Sequence, residues 1–339
     1  MGLLRFVVKR LALLALVLLG ATIITFAVSH MVPSDPARMW AGPRASQIQI
    51  EQARRELGLD QPLYAQLAVY ISRILRGDLG ISIHTRRPVL NDIVDYFPAT
   101  FELTTVAMIL ALALGIPMGV VSATRRDRLP DHATRIVSLT GVSVPIFWLG
   151  LLAQLVLSST FHILPTSGRV DALLQAQAPP VLTGMYLLDS LLAGKWPFFA
   201  SALAHILLPA LTLSYASLAI VTRMTRSTML EVLGQDYIRT ARMKGLSERV
   251  VLYKHALKNA LIPILTIVSL CYGLLLGGAV LVETIFDWPG MGLYATNSIL
   301  TLDLPAIVGV TLVVAAIYVM INLVVDILYT IVDPRVRYD

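Results

Sequence analysis

The sequence predicts an all-α polytopic membrane protein with six transmembrane helices, and three observations carry that reading. Of its 339 residues, 56% are hydrophobic and only 14% charged, with a mean hydropathy of +0.74, whereas soluble domains carry about a quarter charged residues. The charges are segregated, leaving six runs without Asp, Glu, Lys or Arg. Finally, the basic residues alternate between the segments that join those runs. An ordinary soluble enzyme is excluded by the first observation alone.

The runs are Leu11 to Ser34, Leu103 to Thr124, Ile136 to Gly168, Trp196 to Thr222, Asn259 to Val282 and Leu304 to Val325. Each reaches the roughly 20 residues a helix needs to cross about 30 Å of hydrocarbon, where every backbone polar group must be paired within the segment. A seventh charge-free stretch, Ala172 to Leu188, holds Gln175, Gln177, Pro179, Pro180 and Gly184 and reads as a loop. The first run, preceded by Arg5, Lys9 and Arg10, exceeds the apolar core of a cleaved signal and reads as a retained anchor.

Positively charged short loops stay cytoplasmic. Arg5, Lys9 and Arg10 precede the first run; Arg125, Arg126, Arg128 and Arg135 follow the second; eight basic residues lie between Arg223 and Lys258; and Arg335 and Arg337 close the tail. The intervening loops carry only Arg169 and Lys195, or no base at all beside Glu283, Asp287 and Asp303. Both termini are therefore expected in the cytoplasm. The organisation expected is an anchor helix over 1–34, an extracytoplasmic segment over 35–98, and a five-helix core over 99–339. Helical spacing over 48–58 and 61–76 makes that extracytoplasmic segment a folded element. The net charge of +6 resides in these loops, so no nucleic-acid partner is expected.

Cys271 is the one cysteine and reads as a small packed apolar residue. His30, His132, His162, His205 and His255 are scattered, so no metal site is expected. Gly115 with Gly119, and Gly273 with Gly277, have the spacing that lets helices approach closely. Pro117, Pro145, Pro209 and Pro263 would bend their helices. Glu102, His205, Glu283, Asn322 and Asp326 sit at the edges of spans. With Asp287 and Asp303, the residues Glu102, Glu283 and Asn322 are candidates for the transport pathway or for contact with an external binding protein.

The most informative stretch is cytoplasmic, at about 224–262. Arg239, Arg242, Lys244, Arg249, Lys254 and Lys258 alternate there with Ile238, Ala241, Met243, Leu246 and Val250 to Tyr253. It reads as two short amphipathic helices joined at Gly245 and Leu246, with Ser247 capping the second. Basic amphipathic loops commonly rest on anionic lipid. The small residues Thr240, Ala241 and Gly245 beside the basic ones favour close docking on another protein.

At these residues the chain resembles the permease subunits of bacterial ABC importers of the dipeptide/oligopeptide/nickel class. That family carries a cytoplasmic pattern of Glu-Ala-Ala, three residues, Gly, and later an aliphatic pair with Pro. Ala241 and Gly245 hold the Ala and Gly positions and Leu261, Ile262 and Pro263 the end, while Arg239 and Thr240 depart from it. Further resemblances span Leu57 to Pro62, Gly77 to Ser82, Pro98 to Leu103, Pro145 to Trp148, Arg223 to Arg226 and Glu283 to Gly290. Length and the run Met224 to Leu246 look most like the dipeptide permease subunits; Arg87 to Leu90 and Arg126 to Asp131 resemble the nickel-class relatives.

The resemblance implies a type I importer permease that forms half of a pathway for dipeptides or short peptides in the bacterial inner membrane. Its implied partners are a second homologous permease, two ATPase subunits and an extracytoplasmic solute-binding protein, besides membrane lipid. Asp236, Tyr237, Arg239, Thr240, Ala241, Arg242, Lys244, Gly245 and Leu246 would form the ATPase-coupling loop. No catalytic residue or cofactor is expected on this chain. Its only Gly-Lys, Gly194 and Lys195, is followed by Trp196 and not by the Ser or Thr of a phosphate loop, so ATP and Mg would sit on the partner ATPases. Nickel, haem, glutathione or longer peptides are the alternative cargoes. A secondary transporter working without ATP is the alternative of another class, and it would show charged or unwound segments at mid-membrane.

Overall fold

The computed structural model describes the backbone of residues 3–31, 35–42 and 44–332, and the side chains of 12–27, 35–42 and 44–325. Arg5, Lys9, Arg10, His30, Asp326, Arg335 and Arg337, which enter the sequence reading, lie outside the described side chains. The described residues are overwhelmingly helical. Fourteen α-helices follow one another: α1 (Leu3–Met31), α2 (Pro36–Ala41), α3 (Gln47–Glu56), α4 (Leu63–Leu75), α5 (Val89–Thr124), α6 (Leu129–Ser143), α7 (Ile146–Ala153), α8 (Ala172–Gln175), α9 (Tyr186–Leu192), α10 (Trp196–Leu233), α11 (Asp236–Met243), α12 (Lys258–Ile285), α13 (Met291–Leu300) and α14 (Leu304–Val332). Two stretches, Gln154–Thr160 and Val250–Leu257, are wound more loosely, as π-helix.

Among the described residues, four helical stretches are long and apolar enough to cross a membrane: Val89–Thr124, Trp196–Leu233, Val250–Ile285 and Leu304–Val325. A fifth is available if Leu129–Ser143 and Ile146–Thr160 make one broken span. The protein is a multi-pass membrane protein. Helix α1 covers the first charge-free run, and its described apolar part is Ala12–Ala27. The third run bends next to Pro145, as the sequence reading expects of a proline there, and its two halves meet at 109°. Pro145 forces the residue before it out of helical geometry, and Val144 is extended at φ −86°, ψ 125°.

The chain divides into two compact units. One comprises Gly2–Phe97 and Tyr294–Val319; the other comprises Met1, Pro98–Leu293 and Met320–Asp339. In the first, Ser46 and Gln49 form a reciprocal capping box that starts α3, and Asp35 caps α2 and pairs with Arg54 at 2.9 Å. These contacts, with Ala37, Ile50 and Ala53 buried beneath them, fold the segment as its helical spacing predicts. The short helix α2 is an addition that six residues of periodicity do not reveal.

In the second unit α10 is the central element. Gly115 and Gly119 of α5 lie against it so closely that a Cβ on either would stand 3.0 Å from Val221 or 2.5 Å from Thr225. Gly141 of α6 does the same against Ala219 at 2.8 Å. On α12, Gly277 meets nothing within 4 Å in this chain, while its neighbour Gly278 approaches Leu213. A polar tie backs these contacts. Asp131, fully buried at the start of α6, accepts two hydrogen bonds from Arg226 of α10 at 2.8 and 2.9 Å, one from Ser122 of α5, and two from Arg135 at 2.8 and 3.3 Å. It joins two segments that the sequence reading singles out separately, Arg126 to Asp131 and Arg223 to Arg226.

Candidate functional site

The cytoplasmic stretch is built from α11 outward. At about 100° per residue, Ile238 and Ala241 share one face while Arg239, Thr240 and Met243 share the opposite one. The structure follows this division. Ile238 and Ala241 are buried with Val120, Ala123, Met229, Val251, Ala256, Ala260 and Ile264. Arg239, Thr240, Arg242, Met243, Lys244, Gly245 and Leu246 are all exposed, Met243 to 80%. The small side chain of Ala241 therefore serves packing inside this chain and does not itself present a docking surface, which corrects that part of the sequence reading.

Gly245 ends α11. Its N–H donates to the Arg242 carbonyl at 2.9 Å, and the Leu246 N–H reaches back to the Ala241 carbonyl at 3.4 Å, the two bonds of a Schellman turn. The turn needs a left-handed residue, and Gly245 stands at φ +75° with nothing within 4 Å of where a Cβ would be. Conformation, not space, demands glycine here. Arg242 closes the turn by donating to Glu248 at 2.7 and 3.2 Å. That bond holds the Glu248 carboxyl below its usual value of 4.5. Arg242 is engaged inside the turn and Arg239 stands 3.6 Å from Asp236, while both remain exposed alongside Lys244. The second helix of the sequence reading is not separate either. From Glu248 the chain winds through Val250–Leu257 directly into α12, and Ser247 contributes its carbonyl to the Val251 N–H. Tyr237 accepts a hydrogen bond from Asn259 of α12 at 3.0 Å, adding a polar tie between α11 and α12.

The carboxylates proposed for the pathway have another role in the structure. Glu283, fully buried near the end of α12, accepts from the Thr100 hydroxyl at 2.6 Å and from the N–H groups of Gly292 and Leu293 at 2.6 and 3.1 Å. It supplies the acceptors that the first turn of α13 lacks. The Met291 N–H is taken by Thr100 at 2.7 Å, and the buried Trp288 donates from its ring to the Ala99 carbonyl at 3.0 Å. A Cβ on Gly290 would stand 2.5 Å from the Glu283 carboxylate, and one on Gly292 2.5 Å from the backbone of Val280. The run Glu283 to Gly290 is accordingly a packed corner.

Glu102 is also inward. It pairs with Arg169 at 2.6 Å, both side chains under 10% exposed, and accepts the Leu187 N–H at 2.7 Å. Arg169 lies 3.7 Å over the Tyr186 ring and donates to the Gly184 carbonyl. The loop it belongs to is further organised by Asp189. Burial pushes the Asp189 carboxyl up, but the Thr183 hydroxyl and the N–H groups of Thr183, Gly184 and Leu182 outweigh this and hold it low. In the other unit, fully buried Asp303 accepts from Ser82 and from the His84 N–H at 3.1 Å and reaches the Ala306 N–H at the start of α14. Glu102, Glu283 and Asp303 are therefore structural acceptors, because an unpaired carboxylate in the bundle would be costly and these have been given partners. Asp287 alone among the acidic candidates is exposed, in the left-handed turn after α12 at φ +47°, and Asn322 is half-buried on α14. Sequence reading missed Met243 as part of the outward face and took Arg169 only as an orientation charge.

The chain was compared with known families and proteins. Residues 115–338 match the model of the binding-protein-dependent transport system inner membrane component, and residues 3–104 match the N-terminal model of the same membrane component. The probable D,D-dipeptide transport system permease protein DdpB of Escherichia coli K12 is 51% identical over 95% of this chain and 94% of its own. The dipeptide permease DppB of the same strain is 44% identical over 99% of each chain, and the glutathione permease GsiC of Escherichia coli O6:H1 is 40% identical over 99% of each. Among solved structures, a chain of the MetNI methionine ABC transporter in an inward-facing conformation matches with TM-score 0.50 and 16% identity, over 69% of this chain and 93% of that one. That likeness shows the type I importer permease fold. The chain is a membrane transport subunit and belongs to the family of binding-protein-dependent transport system inner membrane components.

Proposed function

We propose that this chain forms half of the translocation pathway of an ATP-driven importer for dipeptides or short peptides. Both termini and α11 face the cytoplasm, and residues 35–98 face outward. A second homologous permease completes the pathway, two ATPase subunits supply ATP hydrolysis with its Mg, and an extracytoplasmic solute-binding protein delivers cargo. The full-length likeness to two dipeptide permeases supports the cargo class. The coupling role rests on one observation above the others: a rigid Schellman turn presents Met243, Lys244 and Leu246 outward while the inner face of the same helix is packed onto α12.

In this reading α11 and its turn, Asp236 to Leu246, seat in a groove of an ATPase. Closure of the ATPases moves the turn, and the Ile238 and Ala241 packing together with the Tyr237–Asn259 bond carries that movement into α12 and its span. The chain itself performs no chemistry. The test is gentle purification of the tagged protein from its native membrane, identification of what accompanies it, and uptake of labelled dipeptides by the reconstituted complex. Two ATPases, a second permease and ATP-dependent dipeptide uptake are expected. Uptake of glutathione, nickel, haem or long peptides in place of dipeptides would overturn the cargo, and ATP-independent transport by the chain alone would overturn the mechanism.

A further inference from the structure

The helix α4, Leu63–Leu75, has a surface that the transport reading does not use. No residue of α4 is buried, and its sequence LYAQLAVYISRIL contains no acidic residue. At about 100° per residue it divides into three faces. Leu63, Leu67, Tyr70 and Ile74 form one; Tyr70 packs on Phe26 of α1 with ring centroids 5.7 Å apart, five residues from the end of that helix. Tyr64, Ala68, Ile71 and Leu75 form a second, apolar face about 60° wide, with Tyr64 exposed to 78% and Leu75 to 82%. Gln66 and Arg73 lie opposite this second face, and Gln66 donates to the Gln61 carbonyl at 2.7 Å.

We infer that α4 lies in the outer lipid–water interface with Tyr64, Ala68, Ile71 and Leu75 in contact with the acyl boundary. The occupant follows from continuity. Helix α1 presents Leu13, Leu16, Val17, Leu19, Ile23 and Ile24, all exposed, along its apolar length. The Tyr70–Phe26 contact sets α4 beside the last turns of α1, so its exposed face adjoins that surface. The charge pattern agrees: an apolar face, an opposite face ending in Arg73, and Arg76 directly after the helix suit phosphate headgroups, and the tyrosines suit the interface. A lipid-seated α4 would brace the outer end of α1 against the membrane plane. The inference rests on residues 35–98 being external.

Nitroxide labels test it, because Cys271 is buried and single exposed cysteines can be labelled selectively. Tyr64→Cys, Ala68→Cys and Leu75→Cys are compared with Gln66→Cys and Arg73→Cys in the assembled transporter, in nanodiscs of phosphatidylethanolamine and phosphatidylglycerol. Collisions with oxygen and with a water-soluble nickel chelate are measured. A several-fold higher oxygen-to-nickel ratio at 64, 68 and 75 than at 66 and 73 is expected. Equal, high nickel access at all five overturns the inference in favour of a solvated helix, and low access to both reagents at 64, 68 and 75 overturns it in favour of a protein partner. Uptake by the same labelled complexes reports on the importer reading separately.

Discussion

The two ends of α12 use similar residues for opposite purposes. At the end that the proposed orientation places outside, Glu283, Thr100, Trp288, Gly290 and Gly292 are closed on one another by hydrogen bonds and close backbone approach. At the other end, cytoplasmic in that orientation, the ties run inward from one face only, while Met243, Lys244, Gly245 and Leu246 are exposed. Both ends carry charged residues and a glycine at which a side chain would be strained or crowded. Burial separates them. The outer corner is scaffold, and the cytoplasmic turn is a surface held in shape by scaffold beneath it.

The largest effect expected of a single change is at the outer end. Arg169→Leu strands the buried Glu102 carboxylate, a loss on the order of 3–5 kcal/mol for breaking a buried pair. Thermal unfolding in detergent should show a fall of many degrees together with less protein in the membrane; an unchanged midpoint would mean that the pair is not the scaffold described. Gly292→Val pushes a side chain against the backbone of Val280 and should cost about 1–3 kcal/mol by overpacking, read in the same assay. If valine there were neutral, the corner would be looser than the geometry states.

The smallest effect is at the cytoplasmic turn. The Arg242–Glu248 pair is half exposed and contributes about 0.2–1 kcal/mol. Because the Glu248 carboxyl is lowered on folding, that contribution is complete above its unfolded value of about 4.5 and is lost as pH falls through the lower folded value. A double-mutant cycle with Arg242→Gln and Glu248→Gln should give constant coupling from pH 7 to 5 and a decline only below that. Coupling that fades between pH 7 and 6 would assign the interaction to another group.

Much of the fold is legible in the sequence, because the bilayer forces long apolar runs and a helix is the form that satisfies their backbones. Glycine at 245 is legible for a similar reason, since helix, glycine and a basic rim make a recognisable end. The Pro145 bend was signalled by proline inside a long apolar run, although the 109° angle is set by packing. The roles of Glu102 and Glu283 were not legible. A carboxylate at a span edge suggests a pathway, and the partners that make it structural, Arg169 and Thr100, lie 67 and 183 residues away in the chain. The inward position of Ala241 is legible in the same helical arithmetic that places Ile238.

The contrast between scaffold and surface is tested most directly at Met243 and Leu246, which are exposed and make none of the turn's own hydrogen bonds through their side chains. The measurement is the amount of ATPase retained on the tagged chain, for the wild type and for Met243→Glu combined with Leu246→Glu, at matched membrane abundance. The account predicts a normally folded chain with an unchanged unfolding midpoint that no longer retains ATPase and no longer supports uptake. Full ATPase retention with undiminished uptake would contradict it.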